Sequence, residues 1–74
     1  MTRQNDFEVQ QEADRILNFL AGFPGGTSTC TRKVLHELLM NNNGRVFGRG
    51  ECYDIRSKNL GAGVYRVYLT VAKL

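Results

Sequence analysis

The run Val64-Tyr65-Arg66-Val67-Tyr68-Leu69-Thr70-Val71 alternates so regularly that it leaves the chain few possible architectures. In a strand, Tyr65, Val67, Leu69 and Val71 fall on one side, and Val64, Arg66, Tyr68 and Thr70 on the other. β-branched and aromatic side chains dominate, as a pleated surface favours. The first side is apolar and must be buried. The second carries an arginine and is expected to face water. A chain of 74 residues has material for only one further layer to cover the apolar side. The expectation is one α+β domain over residues 1–74, two helices packed on a C-terminal antiparallel β-hairpin, with residues 1–5 a frayed end.

The covering helices are legible upstream. Val9, Ala13, Ile16, Leu17 and Leu20 recur at helical spacing from Asp6 onward, with Asn5 or Asp6 as cap. Glu8, Glu12 and Asp14 lie towards the end where the helix dipole favours negative charge. Phe19 sits off the stripe and Phe23 beyond its end. The helix is expected to stop at Gly22, because Phe23 precedes Pro24 and pre-proline residues avoid helical angles. Phe23-Pro24-Gly25-Gly26 reads as a chain reversal and lacks the spacing of a phosphate loop. Thr27, Ser28 and Thr29 then offer three caps for a second helix, from about Cys30 to Asn42. Its inward stripe is Val34, Leu35, Leu38 and Leu39, with Cys30 or Thr31 at the top, and Asn41 to Gly44 end it.

Beyond Gly44 the period changes. Val46-Phe47 begins a short strand before Gly48-Arg49-Gly50. Tyr53 and Ile55 then alternate with Cys52, Asp54 and Arg56 in a second strand, and residues 57–63 are expected to form the connecting loop.

Charge is unevenly spread. Residues 1–26 carry Arg3 and Arg15 against Asp6, Glu8, Glu12 and Asp14, a balance of −2. Residues 27–74 carry eight Lys or Arg against Glu37, Glu51 and Asp54, a balance of +5. A one-sided positive field attracts polyanions, nucleic acid first among them. Two groups of candidates follow. The outward face of the second helix presents Arg32, Lys33 and His36. The strand region presents Arg45, Arg49, Arg56, Lys58, Asn59, Arg66 and Tyr68, with an aromatic between two guanidinium groups, an arrangement suited to phosphate contact plus stacking. A solvated face with no partner is an equal reading for the helix group, while Arg45 and Arg49 in the same third of the chain tip the strand group towards binding.

Helix, Gly-Gly-Thr turn, helix and basic hairpin together resemble the winged-helix family of DNA-binding domains. The residues that carry the likeness are Ile16-Leu17-Asn18-Phe19-Leu20, Val34-Leu35-His36-Glu37-Leu38-Leu39 and Gly44-Arg45-Val46. The resemblance implies that the helix before the wing enters the major groove and that the wing touches the backbone or minor groove. It would then turn Arg32, Lys33 and His36 towards nucleic acid, with Lys58 and Asn59 on the wing. That family has three helices before its wing. Here either the middle one has shrunk to a turn at Thr27 to Thr31, or the chain is another ααββ fold.

Two functions are therefore expected in competition. One is a small nucleic-acid-binding protein, a regulator or accessory factor contacting double-stranded DNA, with DNA ahead of RNA. The other is a protein-binding module, an inhibitor, adaptor or antitoxin-like partner, using Phe7, Phe19, Phe23 and the Tyr and Arg residues that interfaces favour. Pairing of the last strand with another copy would give a homodimer. No enzyme, cofactor or metal site is expected. His36 is the one histidine and has no ligand-spaced neighbours, and Cys30 and Cys52 read as free thiols. Polar opening residues and the lack of a long apolar run give no signal peptide and no membrane span, so a cytoplasmic location is expected.

Overall fold

The computed structural model describes residues 6–72, with backbone alone for Asn41 and Asn42. The expected frayed end lies outside the described residues. Helix α1 spans Asp6–Gly22, strand β1 Thr27–Thr31, helix α2 Arg32–Met40, and a short 3₁₀ turn Asn41–Gly44. Strands β2 (Arg45–Gly48), β3 (Glu51–Gly61) and β4 (Val64–Val71) complete the chain. The four strands form one antiparallel sheet in the order β1-β4-β3-β2.

The α+β class and the two helices agree with the sequence, but the sheet has four strands where a terminal hairpin was expected. The largest difference is β1. Thr27, Ser28 and Thr29 do not cap a helix; they pair with Tyr68, Val67 and Arg66 of β4. The cap of α2 is Thr31, whose Oγ1 accepts a hydrogen bond from the Val34 N–H at 3.4 Å. Pairing with a long strand gives this β-branched run more than a first helical turn would, and α2 starts later, at Arg32. β3 likewise runs through the expected loop to Gly61. A bulge between Asn59 and Gly61 absorbs the one residue that would break the register.

Both hairpins close through two residues with positive φ. These are Arg49 (51°) and Gly50 (78°) between β2 and β3, and Ala62 (54°) and Gly63 (76°) between β3 and β4. Such primed turns match the twist of antiparallel strands.

The core lies between the helices and one sheet face. α1 contributes Val9, Ala13, Ile16 and Leu20, and α2 contributes Val34, Leu35 and Leu38. Each strand adds one buried residue: Cys30, Val46, Ile55 and Val67. Leu17 is only half-buried, and Leu39 turns out to solvent. At Gly48 the β2 backbone comes so near the end of α1 that a Cβ there would stand 2.5 Å from the Ala21 carbonyl oxygen.

Candidate nucleic-acid interface

Residues directly opposite in an antiparallel ladder share a face. Val67 and Ile55 face the helices, so their sequence neighbours face away. That open face is crossed by three rows. Arg56 stands opposite Tyr68, and Tyr68 opposite Thr27. Lys58 stands opposite Arg66, and Arg66 opposite Thr29. Arg45 stands opposite Asp54, and Asp54 opposite Thr70. Among the described residues no helix covers these rows, and Arg56, Lys58 and Arg66 are all exposed.

The partners of the cations differ. Arg45 Nε lies 3.7 Å from Asp54 Oδ1, a pair open to solvent and of small energetic value. Arg56 Nε donates to Thr70 Oγ1 at 3.4 Å, which orients the guanidinium without neutralising it. Lys58 and Arg66 face each other across the ladder. Among the described residues no carboxylate lies within ion-pairing distance of Arg56, Lys58 or Arg66. Directly opposed like charges destabilise a sheet. The fold carries this cost where a single acid would relieve it.

The other sequence candidates are elsewhere. Arg49 sits in the β2–β3 turn, where its guanidinium donates to the Gly22 carbonyl at 3.2 Å and caps the end of α1. Asn59 lies opposite Tyr65, on the helix side, and its Oδ1 accepts from the Gly61 N–H at 2.8 Å. Arg32, Lys33 and His36 are exposed on α2, around a shallow concavity shared with Asp6, Val9 and Glu37. Two carboxylates stand among them, and they occupy the helix layer, on the far side of the sheet from Arg56 and Arg66. The second helix and the strands therefore do not build one continuous basic surface.

Thr27 and Thr29 belong to the open face and were not among the candidates. The signal was present in the period-two spacing of Thr27, Thr29 and Thr31, but threonine before a helix reads equally as a cap. The exposed side of α1 gathers Glu8, Glu12 and Asp14, with Glu12 ion-paired to Arg15. The exposed side of α1 is thus acidic, while the open sheet face carries Arg56, Lys58 and Arg66 with no ion-pair partner among the described residues.

Cys30 and Cys52 are free. By register, Cys30 faces the helices and Cys52 the open side, which separates them. Burial pushes the Cys30 thiol above its ordinary value, and the charge of Glu12 adds to the effect. No metal-binding cluster of His, Cys, Asp or Glu occurs among the described residues, and no helix is long and apolar enough to cross a membrane.

Compared with protein-family models, with curated proteins and with solved structures, the chain shows no significant similarity to any of them.

Proposed function

We propose that this protein binds nucleic acid by its phosphate backbone, on the open sheet face. The observation that carries the reading is the placement of Arg56, Lys58 and Arg66 side by side there, with Lys58 directly opposite Arg66 and no ion-pair partner for the three among the described residues. A phosphate chain supplies the missing counter-charge, and repulsion on the free protein becomes attraction in the complex. The acidic side of α1 adds orientation, since it turns away from a polyanion as the sheet face approaches.

Duplex DNA is the form that the winged-helix resemblance implies. On this reading the β3–β4 hairpin and the open face contact the backbone, and α2 is not the groove reader, because its cations stand on the other layer among Asp6 and Glu37. One observation favours a single strand instead. Tyr68 lies in a row between Arg56 and Thr27, where an unpaired base can stack on its ring.

The test is a fluorescence-anisotropy titration of a duplex and of a single strand of equal length. Replacing Arg56, Lys58 and Arg66 together by Ala should weaken binding at least tenfold. Replacing Arg32, Lys33 and His36 together should change it less than twofold. The opposite ranking would move the interface to α2 and defeat the proposal. A Tyr68→Ala loss confined to the single strand would decide between the two forms.

A further inference from the structure

Strand edges attract other strands, and folded proteins guard them with charge, proline or irregularity. Three of the edges here are guarded or short. β2 carries Arg45 on its open side, with Arg49 in the adjoining turn. β3 beyond Asp54 has no partner on its β2 side, and it carries Arg56, Lys58 and the bulge at Leu60. β4 is interior, flanked by β1 and β3, with only Leu69–Val71 beyond the reach of β1. Pairing of the last strand with another copy, expected from sequence, is therefore confined to that short stretch.

β1 is the exception. Thr-Ser-Thr-Cys-Thr has no charge, no proline and no bulge, and among the described residues no strand pairs with the outer side of Thr27–Cys30. A second feature marks the same edge. Phe19 shares a concavity of about 350 Å³ with Thr27, Ser28, Ile16 and Arg15, and it packs on Phe23 with ring centroids 6.1 Å apart. These rings are 48% and 58% exposed. Arg15, the one charged residue among the described residues lining this concavity, is ion-paired with Glu12.

We infer that β1 is the contact between two copies of this chain, paired antiparallel about a two-fold axis at Ser28 and normal to the sheet. The charge pattern argues for a second copy. A neutral strand meets its own image without repulsion, whereas the β3 edge beyond Asp54 would set Arg56 and Lys58 against the same cations of the second copy. The axis at Ser28 opposes Thr27 of one copy to Thr29 of the other, and cross-strand threonine pairs are favourable. It leaves Thr31 to cap α2, and it brings the exposed Phe19 rings of both copies to the seam. Rotation about an axis normal to the sheet keeps the two open faces on one side. The result is a continuous sheet of twice four strands, with Arg56, Lys58 and Arg66 of both copies facing the same way.

The test needs no nucleic acid, so its outcome is separate from the function proposed above. Sedimentation equilibrium of the purified protein should give about twice the 8.4 kDa of one chain at micromolar concentration and above. Thr29→Lys, an outward substitution, should weaken association at least tenfold while the circular dichroism spectrum stays unchanged. Hydrogen exchange adds an independent reading, with amide protection on the outer side of β1 rising with protein concentration. A monomer across the whole concentration range, or a Thr29→Lys variant that associates like the parent, would overturn the inference.

Discussion

Lys58 stands directly opposite Arg66 in the β3–β4 ladder, and among the described residues no acid is ion-paired with either of them. Stability alone would favour an opposite charge at one of the two positions. Arg66→Glu should therefore raise the unfolding free energy by about 0.2–1 kcal/mol, the usual size of a cross-strand charge effect. The same substitution should weaken nucleic-acid binding. Urea unfolding beside an anisotropy titration reads both. If stability and binding fell together, the like-charge pair would not be the cause.

At Gly48 the β2 backbone lies close against the end of α1. A methyl group there would meet the Ala21 carbonyl at 2.5 Å, and the atom in the way belongs to the backbone. Gly48→Ala should cost about 1–3 kcal/mol, the usual range for overpacking. Gly50→Ala meets no atom but holds φ at +78°, so its cost would be conformational. A melting curve for Gly48→Ala that matched the parent would show that β2 and α1 separate more easily than their contact implies.

Ala62 holds φ at +54° in the β3–β4 turn, a conformation that alanine disfavours and asparagine tolerates. Ala62→Asn should stabilise the hairpin by about 0.5–1 kcal/mol, raising the melting temperature by a few degrees. Position 62 is exposed in the turn and outside the basic rows, so binding should not change. Calorimetry checks the first part and titration the second.

Cys30 is buried among the core residues, and its thiol is held above the ordinary value first by desolvation and then by Glu12. A folded value above the unfolded one means that the thiol's contribution is complete below the unfolded value, about 8.5. That contribution is lost as pH rises through the folded value. The urea midpoint should therefore fall as pH climbs from that point, and fall less in Cys30→Ala. In the native protein a thiol reagent should modify Cys52 well before Cys30.

Helix α1 was legible because its stripe is long and ends at a glycine before Phe23-Pro24. β4 was legible because a period of two persists through Val71. β1 was not, since five small polar residues after two glycines read as caps, and only the long-range partner at Val64–Tyr68 makes them a strand. The length of β3 was hidden for a related reason. Ser57, Lys58, Asn59 and Gly61 form turns in isolation, and pairing with Val64–Val67 holds them extended. The common face of Arg56, Arg66 and Tyr68 followed from alternation alone, and Lys58 joined it once β3 continued. The separation of Arg32, Lys33 and His36 from that face was not legible, because it depends on which side of the sheet the helices take.

Phosphate contact by the open sheet face is read out by the slope of binding affinity against salt. Each phosphate neutralised on a duplex steepens the fall of log affinity with log salt by about 0.9. The parent protein should bind with a slope near that of three or more contacts, and replacing Arg56, Lys58 and Arg66 by Ala should flatten it by about 0.9 for each cation removed. A slope that the triple replacement leaves unchanged, or no binding at low salt, would mean that these cations do not hold a phosphate backbone.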